Sequence, residues 1–249
     1  MAAGGAVADP LLAEVLEAHG GLERWRAAST IAAGVRSGGL LLRTRVPGTR
    51  FADYEVTVGV GDQVAVLDPF PEPGSRGVFE QGAVRIERDG EVLAERSNPR
   101  PEFFGRSGLR RSFRWDALDS VYFAGYAMWN YLNTPYLLTR DDVEVRSGDP
   151  WSQDGETWRR LEVAFPEGFD THSREQTFYF DEQAMLRRLD YVAEVVGGWA
   201  HGAHCCAGHV EAGGLRFPTR RWVRPIGPAN RSLPFPTLVW IELDDLRVT

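Results

Sequence analysis

The sequence predicts a mainly β chain of the α+β class, with one strongly twisted antiparallel sheet, an N-terminal helix and an inserted central helix. Three observations carry this. After the first two dozen residues, most of the 249-residue chain reads as short alternating or apolar runs bounded by turn residues. Gly 27 and Pro 15 punctuate it too often for long helices. No run repeats at a fixed period and no low-complexity linker separates the halves, so residues 1–249 are read as a single domain.

Asp9-Pro10 supplies an N-cap and a proline at the first helical position, and Leu11, Leu12, Val15 and Leu16 share one helical face, ending at Gly20-Gly21. A second short turn covers Leu22 to Trp25. Strands are expected over Ile31 to Val35, Leu40 to Val46, Tyr54 to Val60, Val64 to Leu67, Ala83 to Arg88 and Val92 to Arg96, with Asp89-Gly90 as a type I′ hairpin turn. Pro99 to Trp115 is basic and loop-like. Asp116 to Leu132 reads as a helix capped by Asp116 and stopped before Pro135, apolar on more than one face. Strands resume at Trp158 to Phe165, Glu175 to Phe180, Met185 to Val196, Trp199 to Glu211, Leu215 to Arg224 and Leu238 to Val248.

Composition excludes several functions. The net charge of −7 repels a phosphate backbone, so nucleic acid is not an expected partner. All 28 Lys+Arg residues are arginine, which removes Schiff-base, P-loop-lysine and amine-base chemistry. Neither GxSxG, GxGxxG, GxxxxGK[ST] nor HExxH occurs, and no cofactor is expected. Cys205 and Cys206 are adjacent and imply no disulfide framework. The N-terminus has neither a basic region nor a long apolar core, and no membrane-spanning run follows, so a cytoplasmic location is expected.

The informative region is the pair of hairpins from Glu175 to Glu211. Turns at Asp181 to Ala184 and at Gly197-Gly198 set registers in which Tyr191 faces His204 and Arg174, while His172 faces Ala193. Alternation then puts Phe178, Leu189, Tyr191, Ala193, Val195, Gly202, His204 and Cys206 on an interior face, with His172 and Arg174 at its edge. Arg188, Asp190, Glu194, His201 and His209 fall on a partly solvated face. A row of Arg174, Tyr191 and His204 can move protons and hold an anion, or can be a satisfied core cluster with Arg174 reaching the edge. A metal reading of His201, His204, Cys205, Cys206 and His209 fails on spacing, because residues four apart on a strand lie roughly 13 Å apart. Arg106, Arg110, Arg111 and Arg114 form the one concentrated basic patch, either a solvated loop or a dock for an anionic group such as an acidic carrier protein.

The order of elements resembles the LolA/LolB lipoprotein-carrier superfamily, on the phrases AHGGLERW (18–25), FYFDEQAMLRRLDY (178–191) and GLRFPTRR (214–221). The resemblance implies a curved antiparallel half-barrel and a lid helix enclosing an apolar cavity. The function expected first is a cofactor-independent cyclase or isomerase acting on a bulky apolar small molecule. His204 would accept a proton, Tyr191 donate one, Arg174 hold an anion and His172 assist. Tyr122, Tyr126, Trp129, Phe178, Arg110 and Arg111 would contact substrate. The alternative is a non-catalytic carrier of a lipid-like ligand.

Overall fold

The computed structural model describes residues 9–46, 51–153 and 155–249, with only the backbone described at positions 106 and 107. Six strands meander first: β1 (Thr30–Gly38), β2 (Asp53–Gly59), β3 (Val64–Asp68), β4 (Arg76–Glu80), β5 (Ala83–Arg88) and β6 (Glu91–Ser97). Seven follow the central helix: β7 (Glu144–Gln153), β8 (Glu156–Ala164), β9 (Glu175–Phe180), β10 (Leu186–Val192), β11 (His201–Ala212), β12 (Leu215–Pro225) and β13 (Val239–Val248). The second meander returns so that β13 pairs with β1, giving one open antiparallel sheet in the order β6-β5-β4-β3-β2-β1-β13-β12-β11-β10-β9-β8-β7. The alternating buried positions of β1, β2 and β3 line its inner face.

Helix α1 (Pro10–Ala18) begins where Asp9 Oδ1 accepts from the Leu11 and Leu12 amides, and it buries Leu11, Leu12, Val15 and Leu16. Helix α2 (Leu22–Ala27) follows the Gly20-Gly21 turn. The central helix α5 (Ala117–Asn133) lies across the inner face of β2 to β6. A reciprocal capping box starts it, with Asp116 Oδ1 accepting from the Asp119 amide at 2.8 Å and Asp119 Oδ2 from the Asp116 amide at 3.0 Å. Gly125 lets it approach β4, since a Cβ there would stand 2.3 Å from Phe79 Cβ.

Several expectations need correction. Leu40–Val46 is not a strand: Leu40–Arg45 forms helix α3 after Gly39, a short apolar run that periodicity cannot distinguish from a strand. Pro99–Trp115 holds a 3₁₀ turn (Arg100–Phe103) and helix α4 (Gly105–Arg111). β4 was not expected from the sequence, and β7 was hidden by its polarity and by Pro150, which an edge strand tolerates. β10 stops at Val192, and residues 193–200 form a wide loop closed by the Ala193 amide donating to the Ala200 carbonyl at 2.9 Å. That loop moves the β10–β11 register by two residues, so Leu189 faces His204 and Tyr191 faces Gly202. β9 is also displaced by two against β10: the turn pairs Leu186 with Phe180, one residue from the expected register, and the bulge between Leu186 and Arg188 adds the second. Even shifts preserve the faces, so the interior set stays interior. The opposite face is less solvated than expected: Arg188 and Asp190 are buried there, joined at 2.6 Å, with Trp151 and Tyr179 against the guanidinium.

Candidate ligand cavity

The cavity opens between α5, α3 and the sheet's inner face. Phe123, Ala124, Ala127, Met128 and Tyr131, one helical face of α5, form its roof. Leu41 and Leu42 of α3 close one side, Tyr54, Val223, Val239 and Ile241 supply sheet walls, and Trp199 stands at the 193–200 loop. Of about 730 Å³ between these walls and out to the mouth, about 70 Å³ is wide enough for the centre of a water molecule, so the cavity is narrow as it stands. Almost all of its surface is apolar. The polar exceptions are Ser37, whose hydroxyl donates to the Phe51 carbonyl at 2.6 Å, and the group at the inner end formed by His172, Tyr131 and Tyr191.

His172 sits on the segment between β8 and β9, which passes beneath α5. Its Nε2 lies 2.6 Å from the Tyr131 hydroxyl and its Nδ1 3.1 Å from that of Tyr126, while its ring stacks on Tyr191 at 4.0 Å. The Tyr191 hydroxyl lies 3.3 Å from His204 Nδ1 and 3.5 Å from that of Tyr131. Burial lowers His172 to about 3, with the Arg100 charge adding to the effect. Burial also takes His204 well below its ordinary value, helped by Arg221 and His172. It raises Tyr126, Tyr131 and Tyr191. At neutral pH the cluster is therefore uncharged imidazole and protonated phenol. Beside it, Arg100 donates to the Thr171 carbonyl at 2.7 Å and to Glu194 at 2.6 Å, and Tyr122 donates to Asp170 at 2.5 Å.

Of the residues expected to act, Tyr191 and His172 line the cavity and His204 lies directly behind Tyr191. Arg174 does not join them: β9 begins one residue later and the side chain is exposed, so the expected row of Arg174, Tyr191 and His204 does not form. Tyr122 and Tyr126 point to Asp170 and His172 rather than into the cavity. Trp129 donates to the Gly59 and Asp62 carbonyls, and Phe178 is packed in the core away from the lining. Arg110 and Arg111 both bind carboxylates of the chain itself, Arg111 buried and Arg110 half exposed, and neither lines the cavity. Arg111 Nε donates to Asp119 at 2.7 Å, Arg110 Nη2 to Asp116 at 3.0 Å, and Arg96 joins both carboxylates. The Arg106 side chain lies outside the described residues. Sequence reasoning missed Phe123, Ala127, Met128 and Tyr131. Their i, i+4, i+5, i+8 spacing was the available signal, obscured by weighing the aromatic residues alone.

Among the described residues no group of three or more His, Cys, Asp or Glu side chains is placed to hold a metal ion, and no helix is long and apolar enough to cross a membrane. No protein-family model matches the sequence and no curated protein matches it. Solved structures do. A LolA superfamily protein from Nitrosomonas europaea aligns with a TM-score of 0.53 at 11% identity, over 98% of this chain and 94% of its own. A DUF1329 family protein from Desulfovibrio piger aligns with a TM-score of 0.50 at 14% identity, over 96% and 93%. With its open antiparallel sheet and roofing helix, the chain has a LolA-like fold.

Proposed function

We propose that the protein is a non-catalytic carrier or binding protein for a lipid-like molecule, held between α5 and the inner face of the sheet. The observation that carries this is the cavity wall itself, apolar along its length with hydrogen-bonding groups only near Ser37 and at its inner end. A narrow cavity under a single roof helix suits a flexible chain that opens it on entry. The LolA-like fold is in keeping with that use. Purified protein should show saturable binding of a neutral apolar fluorophore, and Ala124→Trp and Ala127→Trp, which fill the space under α5, should weaken it about tenfold or more with the fold intact. Absence of saturable binding by the wild type would overturn the reading.

A cofactor-independent cyclase or isomerase is the second reading, favoured by one contact: Tyr191 touches both the cavity and His204. It ranks below the carrier because both imidazoles are held neutral far from their useful range, and the hydroxyls of the cluster are engaged with ring nitrogens or with each other. Tyr191→Phe and His204→Ala separate the two: ligand binding without turnover in the wild type supports the carrier, whereas turnover lost in both variants with affinity kept supports the enzyme.

A further inference from the structure

Among the described residues three arginines are almost fully buried: Arg111, Arg188 and Arg221. Arg111 has Asp119 at 2.7 Å and Arg188 has Asp190 at 2.6 Å. Arg221, 2% exposed on β12, has no carboxylate partner among the described residues. Its Nη2 donates to the Tyr131 carbonyl at 3.1 Å, its Nη1 only to the Cys206 sulfur at 3.5 Å, and its Nε to nothing described. A buried guanidinium without a counter-charge is costly to hold, and this fold compensates its other two.

The same place holds a second unmet group. His204 is fully buried and its Nε2 has no partner among the described residues. When Tyr191 gives its hydrogen to Nδ1, Nε2 carries the ring hydrogen and lacks an acceptor. His204 pairs with Val223, two residues along β12 from Arg221 on the same face, so the two polar groups are diagonal neighbours on adjoining strands. Val223 lines the cavity, as does Ile241, which pairs with Arg221. Tyr131 stands between these two groups and the cavity it lines: its ring lies 5.0 Å from the guanidinium carbon and edge-on to His204 at 4.6 Å.

We propose that Arg221 and His204 form the inner end of the ligand site and take the carboxylate of a long-chain monocarboxylic acid whose hydrocarbon chain fills the cavity, with Tyr131 turning aside to admit it. This rests on the apolar-ligand reading above and names its head group. A planar guanidinium matches a carboxylate through two parallel N–H donors, and one uncompensated positive charge calls for a monoanion rather than a phosphate dianion. The anion-holding role expected of Arg174 falls to Arg221, from the GLRFPTRR phrase.

The test is displacement of a neutral apolar fluorophore from the full chain at pH 8 by dodecanoic acid and by dodecan-1-ol. The acid should bind about tenfold or more tightly than the alcohol. In Arg221→Met that preference should vanish, the acid binding no more tightly than the alcohol. Equal affinities in the wild type, or a preference that survives in Arg221→Met, overturn the head-group assignment and leave the apolar-ligand reading standing. Binding of neither compound removes both. Should Arg221→Met fail to fold, the ¹³C carboxyl resonance of labelled dodecanoate bound to wild type decides. It should stay that of the ionised form from pH 8 down to 5, and titration near its free-solution value overturns the proposal.

Discussion

His172 and His204 are fully buried and held neutral, and this has a consequence for stability. In the unfolded chain a histidine takes up a proton as pH falls through about 6.5, whereas the folded His172 does so only near 3. Proton uptake in that window favours the unfolded chain. The stability present above pH 6.5 is therefore lost progressively as pH falls toward 3, by about 2 kcal/mol for His172 between pH 7 and pH 5, and His204 acts in the same direction. His19, lowered mainly by burial, acts in the same direction. Asp170 and Asp190, raised mainly by burial, oppose it as pH approaches their unfolded-state value. Urea midpoints at pH 7 and pH 5 check this: a clear fall at pH 5 is expected, with a shallower fall in His172→Gln, and equal midpoints would refute it. Tyr191 and His204 were legible as interior residues because strand alternation survives an even register shift, whereas His172, expected at the edge of that face, is buried by α5 on a segment outside the strands. Arg221 was not legible, because the sequence cannot show which arginine lacks a carboxylate once the chain has folded.

At the scale of elements, the phrases that looked familiar in the sequence turn out to pack on one another. The His19 carbonyl at the end of α1 accepts from the Arg216 amide at 2.9 Å and from the Tyr136 hydroxyl. Gly20, at φ +116, is pressed so close to β12 that a Cβ would stand 2.2 Å from the Gly214 carbonyl oxygen. The HGG turn and the GLRFPTRR hairpin are thus two sides of one contact, and Gly20→Ala meets both backbone strain and a clash. Helix α5 offers a sharper test. Gly125→Ala gains about 1 kcal/mol of helix propensity but drives a methyl into Phe79, an overpacking that costs about 1 to 3 kcal/mol. A lowered thermal midpoint is expected, and a raised one would mean that α5 does not bear on β4 so closely. Helix α1 was readable because its cap and a 3.6-residue period agree, and α5 because an Asp116 cap opens a long apolar run that ends before Pro135. Helix α3 was not, since its six residues, Leu40 to Arg45, satisfy helix and strand alike until Leu41 and Leu42 find the cavity.

Across the whole molecule, the two meanders meet at the β1–β13 pairing, with α5 roofing the first and the 193–200 loop closing against the second. The mouth gathers the less protected pieces. α3 is only six residues long, its Leu40 and Leu41 amides donate to the Thr237 and Leu238 carbonyls, and Trp199 is 72% exposed beside the cavity it helps line. A guest that enters must spread these pieces and then order them, whereas the β7–β8 edge lies outside the cavity lining. Hydrogen exchange should therefore be faster in α3 and the 193–200 loop than in α5 before ligand is added. A saturating apolar ligand should slow exchange in those two segments and along the cavity face of α5, with β7 and β8 unchanged. Protection spread evenly over the sheet would instead place the binding step outside the cavity and make the roof helix a structural brace alone.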